Sequence, residues 1–145
     1  MNTVIILILW GNMNSQEKFE YWLDMAQYDL KTAQAMLETG RWFYVFFMCQ
    51  QAIEKLIKGL YLLYIDDNVP RLHDINGIFD RFKDSLPEKL SDERISLFDT
   101  LSQVYLRSRY PDYSPTLYSQ ITQETAQAVY EKSKGAFEWL LTMTP

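Results

Sequence analysis

The feature that most constrains the fold is a helical repeat of apolar residues that runs through almost the whole chain. From Phe19 to Leu141, apolar side chains recur at spacings of three and four residues, which place them on one face of a helix. Residues typical of helix ends stand at each break in the repeat. Because this region contains neither a convincing strand pattern nor a glycine-rich phosphate loop, the sequence predicts an all-α fold.

The first two predicted helices form a hairpin. Asn14 and Glu17 have the spacing of a capping box at the start of the first helix, and Gly40 suits the left-handed position that ends it. A second helix is predicted over residues 42–64, and its first half is apolar nearly all round, which indicates a central position. Because the connection is very short, we expect the two helices to pack antiparallel.

The rest of the chain predicts three further helices. A short helix over residues 74–86 is closed by Pro87, and Ser91 caps a longer helix that runs into an arginine-rich segment. Ser114 as cap and Pro115 at the first helical position are predicted to open the last helix. The predicted architecture is an up-down bundle of four main helices with one short extra helix.

Length and composition limit the kinds of function. The chain has 145 residues, which suits one domain, and its net charge of −5 argues against broad electrostatic binding to nucleic acid but allows a local basic site. Cys49 is the only cysteine, which excludes a disulfide framework, predicts an inert core thiol and favours a cytoplasmic location. His73 is the only histidine, so a histidine-rich metal site is excluded within one chain.

The N-terminal residues do not fit the pattern of the helical domain that follows them. Residues 4–10 are an uninterrupted apolar run that is too short for a transmembrane helix and lacks the flanks of a signal peptide. Its β-branched content suits a short strand, although a strand needs a partner. We expect residues 1–13 to be an extension, with an apolar arm against a second subunit as one role, and residues 14–145 to be the helical domain.

The densest group of chemically active side chains is the segment 107–113, Arg-Ser-Arg-Tyr-Pro-Asp-Tyr. Pro111 disfavours helical geometry at the residue before it, so Arg107 and Arg109 are predicted in the last turn of a helix, with Tyr113 after a bend. Guanidinium groups bind phosphate through paired N–H groups, and a phenol donates, accepts or acts as a nucleophile. The same residue types also favour the negative end of a helix dipole, so both interpretations stay open.

Other candidates lie on the second helix and after it. Glu54 and Lys58 have the spacing of a solvated ion pair, and Lys58 is alternatively a phosphate ligand. His73 precedes a helix, which indicates a cap or loop hydrogen bond, with a general base as the alternative. The aromatic residues over 42–47 suit a core or subunit interface, or stacking on nucleobases.

An ordered set of short motifs over residues 16–142 resembles HEPN domains. The set comprises an A-x-x-D-L-x-x-A-like first helix over 26–33, aromatic residues over 42–47, a Q-A-x-E-K-x-x-K run over 51–58, R-L-H-D-I over 71–75 and R-Y-P-D over 109–112. No single motif is specific, but their order is that of the family. The resemblance implies a dimeric helical bundle that binds nucleotide or RNA, in which Arg109, Asp112, Lys58 and His73 are ligand-binding residues.

The resemblance also implies an activity. Many HEPN proteins are ribonucleases in which a histidine follows an arginine by four to six residues, whereas no histidine follows Arg107 or Arg109 here. Arg107 and Tyr113 instead resemble the arginine–tyrosine spacing of toxins that pair with a minimal nucleotidyltransferase, which implies that these two are the catalytic residues. Tyr113 is also the tyrosine that such a partner modifies with nucleotide.

Two functions follow from the resemblance. The first is a ribonuclease toxin that needs no metal ion or cofactor and acts as a homodimer. The second is a non-catalytic subunit that binds nucleotide or substrate for a nucleotidyltransferase. The net charge favours the second, and the arginine–tyrosine spacing favours the first; neither involves a membrane.

Overall fold

The computed structural model of this chain describes residues 3–110 and 119–145. Within these ranges every regular element is helical, which confirms the predicted fold class. The elements are α1 (Thr3–Asn12), α2 (Ser15–Glu38), α3 (Trp42–Tyr64), α4 (Ile75–Asp80), a 3-10 turn (Lys83–Ser85), α5 (Asp92–Arg107) and α6 (Gln123–Thr142). The four long helices α2, α3, α5 and α6 form the bundle.

The α2–α3 hairpin has the predicted ends. The Glu17 amide donates to Asn14 Oδ1 at 2.8 Å, and the Asn14 amide donates to Glu17 Oε1 at 3.2 Å, so both halves of the capping box are present. Gly40 has a φ of 76°, in the left-handed region that favours glycine. These local contacts end α2 and reverse the chain into α3.

Helix α3 lies at the centre of the bundle and packs against α2, α4, α5 and α6. Its apolar side chains are buried along most of its length, as its sequence predicts. At Gly59, α2 and α3 approach so closely that a Cβ atom would lie 3.1 Å from a ring carbon of Phe19 and 3.1 Å from the Cβ of Trp22. The position of α3 brings polar residues on its surface within reach of both α5 and the loop before α4.

The N-terminal run is helical, so the strand suggested by its β-branched residues is wrong. A helix satisfies its backbone groups within its own segment, whereas a strand needs a neighbouring edge, and the described residues contain no strand to provide one. In α1, Trp10 packs edge-on against Tyr21, with ring centroids 5.8 Å apart. Leu7 and Ile8 remain exposed.

Two other element boundaries differ from the predictions. The short helix expected over 74–86 ends at Asp80 and is followed by the separate 3-10 turn. The last long helix begins at Gln123, where Thr122 accepts a hydrogen bond from the Thr125 amide at 3.2 Å. Ser114 and Pro115 lie outside the described residues. Across the described ranges, none of the helices combines the length and apolarity needed to cross a bilayer.

Candidate functional site

A buried carboxylate on α3 organises the candidate site. Glu54 is 4% exposed, and its Oε1 accepts from Lys58 Nζ at 3.1 Å and contacts His73 Nδ1 at 2.8 Å. Gln50 Nε2 lies 3.3 Å from the other carboxylate oxygen. Glu54 and Lys58 are therefore not the solvated pair that their spacing suggests, because their side chains are only 5% and 12% exposed. The reason is tertiary, since the chain that carries His73 lies over this side of α3.

His73 is held at two points. Its backbone carbonyl accepts from Gln50 Nε2 at 3.1 Å, and its ring nitrogen Nδ1 meets Glu54. A carboxylate accepts hydrogen bonds only, so Nδ1 carries the proton in this contact and Nε2 is the nitrogen left for another group. The side chain is 43% exposed. The loop hydrogen bond expected for this residue is present, and its imidazole also faces solvent in a fixed orientation.

Tyr105 on α5 connects the histidine to the arginine segment. Its ring lies 5.1 Å from the His73 ring and is stacked on Phe47 at 5.5 Å. Arg109 Nη2 donates to the Tyr105 hydroxyl at 2.5 Å, and the guanidinium carbon lies 4.8 Å from the centre of the same ring. We call Glu54, Lys58, His73, Tyr105 and Arg109 the His73 cluster.

The His73 cluster unites three ligand-binding residues predicted from sequence. Lys58, His73 and Arg109 come from α3, from the loop before α4 and from the turn after α5. Glu54 offsets the charge of Lys58, while no carboxylate lies within ion-pair distance of Arg109 among the described residues. The cluster therefore offers a positive charge and an exposed imidazole on the surface of an acidic protein.

Arg107 does not belong to this cluster. It is the last residue of α5, and it lines a cleft of about 320 Å³ together with Asp99, Gln103 and Gln120. The prediction that both arginines lie in the last helical turn is confirmed for Arg107 and wrong for Arg109, because α5 ends at Arg107 and Arg109 lies in the turn that follows. Asp112 and Tyr113 lie outside the described residues, so their roles stay predictions.

Sequence reasoning missed Tyr105 and did not anticipate Glu54 as the anchor of the site. Tyr105 and Arg109 are four residues apart, which is the spacing of neighbours at the end of a helix and is a usable signal. The contact between Tyr105 and His73 has no local signal, because it depends on how α5 packs against α3.

The thiol and metal predictions concern other parts of the chain. Cys49 is fully buried, and burial raises the pKa of its thiol to about 12, so the thiolate is scarce at neutral pH, as expected for a core cysteine. Among the described residues, no group of three or more histidine, cysteine, aspartate or glutamate side chains is arranged to hold a metal ion.

The chain belongs to the HEPN domain family, since a model of the HEPN domain matches residues 19–143. TT1696 from Thermus thermophilus has a similar crystal structure, with a TM-score of 0.74 and 24% identity over 88% of this chain and 98% of that one. ST0689, described as an archaeal HEPN homologue, is similar with a TM-score of 0.66 and 25% identity over 86% of this chain and 95% of that one. Among curated proteins, no significant match was found.

Proposed function

We propose that this HEPN protein binds single-stranded RNA at the His73 cluster and is the ribonuclease component of a two-protein module with a minimal nucleotidyltransferase. The proposal rests on one observation above all, the assembly of Lys58, His73 and Arg109 around Glu54 and Tyr105. The exposed Arg109 guanidinium and the 43% exposed His73 side chain suit the binding of a ribose-phosphate chain, whereas Tyr105 is 5% exposed and lies between them.

The chemistry of the cluster favours RNA over a purely structural role. An arginine that served only as a helix cap would bond backbone carbonyls, whereas Arg109 lies against the ring and hydroxyl of Tyr105. This contact fixes the guanidinium plane and leaves further N–H groups for a phosphate. The guanidinium also stabilises the extra negative charge that develops on phosphorus when a phosphodiester is cleaved.

A homodimer is part of the proposal. Arg107 lies apart from the His73 cluster in one protomer, so a second copy that presents its own Arg107 and Tyr113 across a two-fold axis would enlarge the binding surface. The exposed apolar side chains of α1, such as Leu7 and Ile8, are a candidate contact between the copies. The module would operate in the cytoplasm, where RNA and nucleotide are both available.

The test compares two arginines that each lie on an aromatic ring. Arg109 lies on Tyr105, and Arg94 lies 4.2 Å from the ring centre of Trp139. We expect Arg109→Gln to weaken binding of a fluorescent single-stranded RNA by about 10–100-fold, since a charge-assisted phosphate contact is worth about 1.5–3 kcal/mol. Arg94→Gln is the matched control and should bind as the parent does. Equal RNA affinity of both variants and the parent would contradict the proposed site.

Cleavage of the same RNA separates the two functions of the module. The parent protein should cut the RNA, and Arg107→Ala should cut it more slowly while it melts at the parent temperature. If the parent binds RNA and leaves it intact under all conditions that allow binding, the protein is the non-catalytic subunit instead.

A further inference from the structure

We propose that His73, oriented by Glu54, is the base that removes the proton from the attacking ribose hydroxyl during RNA cleavage. This inference rests on the proposed function and assigns a residue to its chemical step. The sequence offers a general base only as an alternative role for His73, and the fold adds the contact with Glu54 that favours it.

The geometry is that of a carboxylate–imidazole pair. Glu54 Oε1 lies 2.8 Å from His73 Nδ1, which selects the tautomer whose Nε2 lone pair accepts a proton. Gln50 holds the backbone of the same residue, and Lys58 holds the carboxylate.

The position of the imidazole also fits the reaction. The His73 ring is partly exposed and lies beside Tyr105, whose hydroxyl is bonded to Arg109. A phosphate held by Arg109 is thereby brought to the same surface as the imidazole. A base must come within about 3 Å of the hydroxyl that it deprotonates, so the inference requires the ribose of a phosphate held by Arg109 to lie against His73 Nε2.

The cleavage is an intramolecular transesterification at phosphorus, in which no atom changes its oxidation state. The 2′-hydroxyl transfers its proton to His73 Nε2 as its oxygen forms a bond to the adjacent phosphorus. The bond from phosphorus to the 5′-oxygen breaks with its electron pair on that oxygen, which takes a proton from water. The products are a 2′,3′-cyclic phosphate and a 5′-hydroxyl, and the imidazolium returns its proton to solvent.

The experiment measures single-turnover cleavage and RNA affinity on the same protein, with and without added imidazole. We expect His73→Ala to cleave about 10²–10⁴-fold more slowly, a loss larger than any loss of RNA affinity that follows from removing the imidazole from the binding surface. Added imidazole should restore part of the rate in His73→Ala and none in Arg109→Gln. Arg94→Gln serves as the control for the assay.

Glu54→Gln tests the positioning role, because glutamine keeps the size of the side chain and removes its charge. It should lower the single-turnover cleavage rate, because an amide no longer holds His73 Nδ1 as the carboxylate does. A His73→Ala protein that cleaves at the parent rate would overturn this inference and leave the proposed function intact. A parent that binds RNA without cutting it would overturn both.

Discussion

The cost of neutralising Glu54 is the stability prediction that bears most directly on the site. Glu54→Gln removes the negative charge that faces Lys58 Nζ at 3.1 Å and His73 Nδ1 at 2.8 Å. The Lys58 side chain is only 12% exposed, so its ammonium group has little water to replace the lost carboxylate. The variant therefore retains a nearly buried charge without a counterion.

The magnitude follows from this burial. Removing one partner of a buried ion pair costs about 3–5 kcal/mol, and the amide oxygen of glutamine should still accept a hydrogen bond, so we expect about 3 kcal/mol. For a chain of this size, each kcal/mol lowers the melting temperature by about 2–4 °C, which gives a decrease of about 6–12 °C.

The assay is urea unfolding and thermal melting followed by circular dichroism, with Glu54→Gln/Lys58→Met as the second variant. The double variant removes the ammonium group as well, so it should recover at least half of the lost free energy of unfolding. If the double variant is as unstable as the single one, an orphaned charge is not the cause. A single variant as stable as the parent would refute the buried-pair reasoning altogether.

Three further predictions concern other parts of the molecule. Gly135→Ala should stabilise the protein by about 0.5–1 kcal/mol in urea unfolding, because a Cβ there meets nothing within 4 Å. Gly59→Ala should destabilise it by about 1–2 kcal/mol, because the added Cβ crowds Phe19. Equal effects of the two variants would contradict the close approach of α2 and α3 at Gly59. Cys49 should resist iodoacetamide in the native protein at mildly alkaline pH and react in denaturant, because its thiol pKa is raised to about 12; rapid native labelling would refute this. After co-expression with a minimal nucleotidyltransferase, intact mass should show added nucleotide on the parent and none on Tyr113→Phe; equal addition to both would exclude Tyr113.

The helices were predictable because their signals are local. The Asn14 capping box and the Gly40 stop act within a few residues, and each appears in the structure as the sequence indicates. The predicted bounds of elements were wrong where tertiary packing, or hydrogen bonding of the backbone within its own segment, outweighs the intrinsic helix or strand propensity of the residues. The N-terminal residues are helical in spite of their β-branched content, and the long final helix begins at Gln123 with Thr122 as its cap.

The site was only half predictable, and Glu54 shows why. A glutamate and a lysine at i, i+4 have the same spacing whether the pair faces water or lies under a loop, so the sequence does not show that this pair is buried. The separation of Arg107 from Arg109 was not foreseen, because the sequence predicts both in the last helical turn, whereas α5 ends at Arg107 and Arg109 lies in the turn that follows. The contact between His73 and Tyr105 could not be predicted either, because it joins the loop before α4 to α5, and the two residues are far apart in the chain.

The most direct test of the central claim uses the fact that the chain contains one histidine. In tag-free protein, the imidazole carbon-bound protons of His73 give a single set of NMR signals that needs no assignment by mutagenesis. During titration with a short single-stranded RNA blocked against cleavage by a 2′-deoxy linkage, we expect these signals to shift and to saturate at the Kd measured by fluorescence anisotropy. RNA binding at that Kd with unmoved His73 signals would contradict the account, because it would place the RNA elsewhere on the protein.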